Sequence, residues 1–386
     1  MSASPAVTRD GVDPVLIGAT LGLAVIGTVM VGSASISLAD RDTGEPMFFL
    51  LRHLGALGVG ACGMLVTLAL PTQLWYRLNW ALLLLAAGLL ALLLVPGIGD
   101  TANGATRWLS LGPVRFQASE PARLCLLMYL ASYAVRHHRD LTASLTGFAK
   151  PMIVVACIAW LLLAEPDFGA AVVVTAASLG VLFMAGARLR DFALAVTLAA
   201  AALAFLALTS QYRLERLTTF LDPWQDPFAS GFQLTNSLIA IGRGEWFGVG
   251  LGDSVQKLFY LPEAHTDFVF AVLTEELGFA GATLVVGLFA LIVYRAIMLG
   301  QRALRQGMAF QGLLATGIGL MLGLEAFINI GVNTGLLPTK GLTLPLVSYG
   351  RSSTVVSLAA LGLLMRIHYE LCVVERQPPH KRGGTR

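Results

Sequence analysis

Charge is scarce in this sequence. Asp, Glu, Lys and Arg make up 13% of the 386 residues, against 56% hydrophobic residues. Soluble domains carry about a quarter charged residues, so a soluble globule is excluded. The net charge of +3 is small and spread over the polar segments, which gives no footing for nucleic acid. Cysteine is equally sparse. Cys62, Cys125, Cys157 and Cys372 lie in or at the ends of apolar runs and form no CxxC pair, which argues against a disulfide framework or a cysteine metal site. An internal repeat is also missing. The inverted halves typical of secondary transporters are not visible, and that counts against transport.

What the chain does have is apolar sequence of membrane-spanning length, again and again. About ten spans can be read, near residues 14–36, 48–70, 77–96, 119–136, 150–164, 168–186, 191–209, 267–297, 308–332 and 351–371. The expected fold is a single all-α polytopic membrane domain over residues 1–386, with short cytoplasmic tails at 1–13 and 373–386. The first apolar run is long enough to read as a retained helix rather than a cleaved signal. Lys and Arg in the short loops set the orientation. With both termini cytoplasmic, about 15 of the 26 basic residues fall on the inner side, while roughly 16 of the 23 acidic residues fall outside. The outer, periplasmic face is thus the chemically busy one.

Three outer segments stand out. Residues 97–118 read as Gly and Pro turns around Arg107, Trp108, Arg115 and Phe116. The large loop at 210–266, before the eighth helix, is too rich in aromatic residues to be disordered. Its residues 233–241 suit an amphipathic helix lying on the bilayer surface, followed by glycine turns from Gly242 to Gly252. Residues 333–350, NTGLLPTKGLTLPLVSYG, read as a re-entrant or unwound stretch, which is tolerated at membrane depth only where it lines a cavity or is buried in protein.

The chain is organised around residues 256–278, QKLFYLPEAHTDFVFAVLTEELG. If the helix starts near Asp267, Glu275 lies roughly 12 Å further in and about 80° round, so the two can share a cavity. Glu276 then points to the opposite face, toward a neighbouring helix. Ionisable groups at that depth are functional suspects; the competing reading makes Asp267 a helix cap and pairs the glutamates inside the bundle. His265 is a hydrogen-bonding strut or, alternatively, a metal ligand or proton shuttle. Glu263 is solvated or paired with Lys257 or Arg243. Arg123 falls inside the fourth span, where it is either an anion ligand or a strut paired with Glu120. Glu165 and Asp167 flank a proline at a hairpin tip and read as a solvated turn.

LPEAHTDFVFAVLTEELG at 261–278, NSLIAIGRGEWFGVGLGDSVQK at 236–257, PTKGLTLPLVSYG at 338–350, EPDFG at 165–169 and FQASEPAR at 116–123 together carry a family resemblance. The chain resembles the SEDS family (shape, elongation, division and sporulation) from about residue 14 to 372, and within it the Gram-negative division branch more than the elongation branch. The resemblance implies a peptidoglycan glycosyltransferase that polymerises lipid II at the outer face of the inner membrane, at the division septum. It implies a class B penicillin-binding protein transpeptidase (FtsI-like) as partner, with other division membrane proteins (FtsQLB-like, FtsN-like). The catalytic base of the family falls on Asp267, with Glu275 and His265 as support. Arg107, Arg123, Arg243, Lys257, Lys340 and Ser348 are the candidates for the substrate's pyrophosphate or sugar. No ligand spacing demands a cofactor; a divalent cation, Mg or Mn, is compatible with a phosphate site. The alternatives are a lipid II flippase, which needs a polar path across the whole membrane, an elongation-branch enzyme, and an inactive scaffold for the transpeptidase.

Three positions depart from the family pattern. Ala118 stands where Pro is usual and Arg123 where Lys is usual. Arg351 replaces a Gly in the usual SYGGSS. If that backbone needs positive φ, Arg351 is strained; alternatively it adds an anion contact.

Overall fold

The computed structural model describes residues 11–97, 99–102, 105–111, 114–209, 219–229, 231–339 and 341–376. The expected basic tail beyond residue 376 falls outside them. The described helices are α1 (Pro14–Thr43), α2 (Phe48–Ala69), α3 (Thr72–Leu93), α4 (Ser119–Arg136), α5 (His138–Ala143), α6 (Leu145–Ala164), α7 (Phe168–Met184), α8 (Leu189–Leu208), α9 (Phe232–Gly244), α10 (Val269–Arg305), α11 (Ala309–Asn333) and α12 (Arg351–Arg376). Eight of them are long and apolar enough to cross a membrane. The chain is a multi-pass membrane protein. α7 is apolar but 17 residues long, and α4 carries Glu120, Arg123 and Arg136 along 18 residues.

α4 and α11 form the centre. From Ala122 to Ala134 nearly every residue of α4 is buried, its polar ones included. A helix buried on all sides needs no apolar stripe, so its few charges must find partners inside the bundle. α2 and α12 pack closely because small residues meet there. A Cβ on Gly60 would sit 2.6 Å from Leu358, and one on Gly362 would sit 2.4 Å from the Met64 carbonyl. Close backbone approach through glycine is how helices gain contact in lipid, where apolar burial drives little.

Between α3 and α4 the chain folds as a small antiparallel sheet, β1 (Gly99–Ala102), β2 (Ala105–Leu111) and β3 (Val114–Gln117), in the order β1-β2-β3. The turns expected over 97–118 are thus organised by strand pairing, with Trp108 opposite Gln117 and Ser110 opposite Arg115. β3 runs directly into α4. The Gln117 N–H donates to Ser352 Oγ at 2.9 Å, tying the sheet to the first turn of α12.

α10 differs from the single helix expected over 267–297. It begins at Val269 and is broken at Gly278, where φ is 66° and ψ is −166°. The break frees backbone groups at membrane depth, where each needs a partner in the protein. The preceding loop supplies them. Val249 and Gly250 N–H groups donate to the Glu275 and Glu276 carbonyls at 3.0 and 3.2 Å, and the N–H groups of Phe279 and Ala280 donate to Glu245 and Trp246 carbonyls at 2.9 and 3.1 Å. Gly248 allows this splice, because a Cβ there would lie 2.1 Å from the Glu276 carbonyl oxygen. α9 is the amphipathic helix expected near 233–241, but its buried face packs on protein. Leu234, Ser237 and Ala240 are covered, and Ser237 Oγ donates to the Asn333 carbonyl at 2.8 Å.

Candidate active site

At the end of the bundle that carries the sheet and the 250–268 loop lies a polar cavity of about 640 Å³. Its lining comes from segments far apart in sequence: Arg52 of α2, Arg107 and Arg115 of the sheet, Glu120 and Arg123 of α4, Asp167 before α7, Glu263 and Asp267 before α10, and Tyr349 to Ser353 at the start of α12.

Asp267 is half-buried and lines this cavity. Its backbone is held from α11. Asn329 and Asn333 both donate through Nδ2 to the Asp267 carbonyl, at 2.9 and 3.0 Å. Asn333 Oδ1 in turn accepts the Ala271 N–H at 3.1 Å, and Asn329 Nδ2 also reaches the Leu342 carbonyl at 2.5 Å. The two asparagines stand one turn apart and are almost fully buried. They fix the entry to α10 and the 341–347 stretch against one another. The Asp267 carboxylate packs on Gly341, where a Cβ would lie 2.9 Å from Oδ2. The residue capping α10 is Phe268, without a side-chain cap bond, so the cap reading of Asp267 finds no counterpart in the helix geometry.

Deeper in, Arg123 is 3% exposed and forms ion pairs with Glu120 and with Glu325 of α11. The strut reading fits, since Arg123 is braced by two carboxylates, and its side chain also lines the cavity. Arg107 reaches the carbonyls of Glu165 and Pro166. Asp167 accepts the Ala170 N–H at 3.2 Å as the cap of α7 and the Gln117 side-chain amide at 3.4 Å.

Several expected site residues are placed elsewhere. Glu275 does not share the Asp267 cavity. It is fully buried and accepts from Arg243 at 3.1 Å, Ser254 Oγ at 2.5 Å and the N–H groups of Val255 and Gln256 at 3.1 and 3.3 Å. A carboxylate this deep must be saturated, and the loop folds back over it to do so. Arg243 is thereby committed to Glu275. Lys257 is committed to Glu276 at 2.7 Å and to Ser33 of α1 at 2.8 Å, so Glu276 does face a neighbouring helix. Neither cation lines the cavity, and Glu263 pairs with neither; its carboxylate accepts from Thr266 Oγ1 at 2.6 Å. Ser348 is a turn strut whose Oγ accepts the Leu344 N–H at 2.9 Å. Lys340 lies outside the described residues.

The His265 ring sits between Phe49 and Tyr349, with centroids 4.9 and 5.6 Å away, and its carbonyl accepts the Tyr349 N–H at 2.9 Å. Burial lowers its pKa below the ordinary imidazole value, against the opposing pull of Glu263 and Asp42. A ring packed between two aromatic rings, with its backbone bonded to Tyr349, fits the strut reading. Among the described residues no group of His, Cys, Asp and Glu is arranged to hold a metal.

The hairpin tip is not solvated. Glu165 and Asp167 are 1% and 2% exposed. Burial, and then the neighbouring Asp167, push the Glu165 carboxyl up to about 8, with Arg107 opposing. Both Glu165 oxygens lack a hydrogen-bond partner. Burial also raises the Tyr349 phenol, opposed by the nearby charges of Arg351 and Arg52. Arg351 adopts the first position of α12 without positive φ, so the substitution of a usual glycine brings no backbone strain.

Arg52, Asn329, Asn333 and Gly341 were not legible as site residues. The one signal was a pair of asparagines four apart in an apolar span, a spacing that puts both on one face.

Comparison with known proteins agrees with this architecture. The cell cycle protein family model, named for FtsW, RodA and SpoVE, matches residues 14–372. The probable peptidoglycan glycosyltransferase FtsW of Thioalkalivibrio sulfidiphilus is 55% identical over 91% of this chain and 88% of its own length. The protein of the same name from Hahella chejuensis is 50% identical over 96% and 93%. Among solved structures, a chain of a peptidoglycan synthase complex that coordinates polymerization and crosslinking superposes with a TM-score of 0.76 at 31% identity, covering 93% of this chain and 98% of that one. The Thermus thermophilus rod shape determining protein RodA gives a TM-score of 0.67 at 30% identity, covering 92% and 96%. With its fold and its matched span in agreement, the chain belongs to this cell cycle protein family and is FtsW-like rather than RodA-like.

Proposed function

We propose that this chain is a septal peptidoglycan glycosyltransferase that polymerises lipid II, with Asp267 as general base. The observation that carries the assignment of the base is its place: a carboxylate at the wall of a polar cavity that also holds Arg107 and Arg123. The reaction needs a sugar hydroxyl to attack an anomeric carbon. Asp267 takes the hydroxyl proton as the new C–O bond forms, and the old C–O bond breaks toward the lipid diphosphate. The leaving group is already anionic, so it needs cations more than an acid. Arg107 and Arg123 offer forked donors to phosphate oxygens, and Lys340 is a further candidate by sequence. Glu275, Arg243, Lys257 and His265 act by holding the loop in place. A Mg or Mn ion, if one binds, would neutralise charge on the diphosphate, although among the described residues no group of His, Cys, Asp and Glu is arranged to hold it.

In this reading the Asp267 end faces the periplasm at the inner membrane of the septum, beside a class B penicillin-binding protein of the FtsI type. The similarity to a chain of a complex that couples polymerization to crosslinking supports such a partner. Transport is less well supported. The deepest cavity-linked charge on α11 is Glu325, and the helix from Ala309 to Leu324 carries no Asp, Glu, Lys or Arg. A flippase would need that path continued. The test is to give labelled lipid II to the purified chain with its transpeptidase and look for glycan strands. Strands support the enzyme; lipid II that crosses liposomes without ever polymerising, under every partner and metal condition, overturns it.

A further inference from the structure

The first turn of α12 opens into the same cavity, on residues to which the reading above gives no role. A 26-residue helix carries partial positive charge and unbonded N–H groups at its start. Here the N–H groups of Arg351, Ser352 and Ser353 have no acceptor among the described residues, while Thr354 N–H is the first to bond, to the Gly350 carbonyl at 2.8 Å. A helix start alone is not a site. The second observation is Ser353. It is 5% exposed, it lines the cavity, and its hydroxyl has no hydrogen-bond partner among the described residues. A hydroxyl on a residue this covered that keeps its bonding capacity and opens into a cavity is available to a ligand there.

Two guanidinium groups stand at the same place. Arg351 begins the helix and lines the cavity, with no carboxylate in ion-pair contact among the described residues. Arg52 of α2 lines it too; it stacks over Phe48 at 3.9 Å, again with no carboxylate in ion-pair contact among the described residues. The other cavity arginines share their donors with protein groups. Arg115 pairs with Asp100 at 3.3 Å, Arg123 pairs with Glu120 and Glu325, and Arg107 holds the 165–166 carbonyls.

We infer that the start of α12 is an oxyanion site that takes a phosphate of a lipid-linked diphosphate, bound by the Ser353 hydroxyl, the free N–H groups of the first turn, Arg351 and Arg52. Backbone N–H groups, a hydroxyl and forked cations converging at a helix start are the chemistry that selects phosphate. The assignment of a lipid-linked ligand rests on the glycosyltransferase reading. It goes beyond that reading by making Arg351, where the family usually has glycine, a substrate-binding residue.

The test is a binding titration, independent of polymerisation. The full-length chain in detergent is titrated with undecaprenyl diphosphate, which has no sugar or peptide, and with undecaprenol, which has no phosphate. The expected result is binding of the diphosphate, at least tenfold weaker binding of undecaprenol, and about a tenfold loss of diphosphate affinity in Arg351→Gln and in Ser353→Ala. Arg351→Lys should recover part of the loss, and Arg139→Gln, on an exposed residue outside the cavity, should change nothing. Ser353→Ala removes one oxygen and keeps the proposal testable if an arginine variant fails to fold. Equal diphosphate affinity in wild type, Arg351→Gln, Arg52→Gln and Ser353→Ala would overturn the site. So would a loss seen only with lipid II whose peptide carboxylates are free and not with amidated lipid II, which would assign the site to the peptide. If wild type fails to polymerise lipid II yet these variants lose the diphosphate, the oxyanion site stands and the enzyme reading falls.

Discussion

Asp267 and the pair Glu275–Glu276 lie within three turns of one another, yet their surroundings are opposite. Glu275 and Glu276 are 0% and 1% exposed, and each is met by a cation and a hydroxyl. Asp267 is half-buried, lines a cavity of about 640 Å³, and has its backbone carbonyl held by two asparagines. A saturated buried carboxylate is a fastener, because every proton or substrate it might engage is shut out. A carboxylate at the wall of a polar cavity, with its backbone held from behind, is placed to meet a substrate. The difference teaches that depth alone does not mark the working acid in a membrane protein; the supply of fixed partners does.

The largest structural effect should come from breaking the fastener. Glu276→Ala leaves Lys257 buried without its partner, and removing one member of a buried pair costs about 3–5 kcal/mol. Thermal melting in detergent should fall steeply, with activity lost along with the fold. If melting is unchanged while activity falls, Glu276 belongs with Asp267 and the contrast fails.

Asn333→Ala probes the opposite case. It removes the bonds to the Asp267 carbonyl and the Ala271 N–H and should cost about 1–3 kcal/mol of stability. It should lower turnover by about tenfold with substrate affinity little changed, since the base moves and the binding cations do not. A stability loss with full turnover would reduce the asparagine to a packing residue.

Gly341→Ala is smaller in volume and more pointed. The added carbon would lie 2.9 Å from Asp267 Oδ2, so the carboxylate must shift. Turnover should drop several-fold, on the order of 1 kcal/mol in the barrier, with melting nearly unchanged. Wild-type turnover in this variant would show that the carboxylate need not stay where it is.

A separate effect, read in stability alone, concerns Glu165 and pH. Its carboxyl is pushed up to about 8 by burial, from an ordinary 4.5, so the folded chain holds its proton more tightly than the unfolded chain. The stability this contributes is full below pH 4.5 and is lost as pH rises toward 8, by up to about 1.4 kcal/mol per pH unit. Glu165→Gln should therefore melt like wild type at pH 5 and higher than wild type at pH 8. Equal melting at both values would mean that the glutamate is ionised and paired.

Much of this was legible in the sequence, and the reason is locality. Spans, the charged hairpin and Asp267 all sit in continuous blocks whose pattern is read within one segment. The misreadings concern partners brought from afar. Glu275 read as a possible neighbour of Asp267 because Ser254 to Gln256, some 20 residues earlier, fold back over it only through the Gly248–Gly278 splice. Glu165 and Asp167 looked solvated because nothing local shows that Arg107 and Gln117 of the sheet lie over them. The sheet itself escaped notice because four-residue strands leave almost no alternation to read.

The central claim is that Asp267 does the chemistry while its neighbours only hold it. The most direct measurement compares polymerisation of labelled lipid II by wild type and Asp267→Ala, each with the cognate transpeptidase and each checked for melting temperature and partner binding. The account predicts glycan strands from wild type and a loss of about 10²–10⁴-fold in the variant, with the fold intact. Equal polymerisation by the two proteins would contradict it and move the search for the base to Glu263, the other carboxylate on the same loop that lines the cavity.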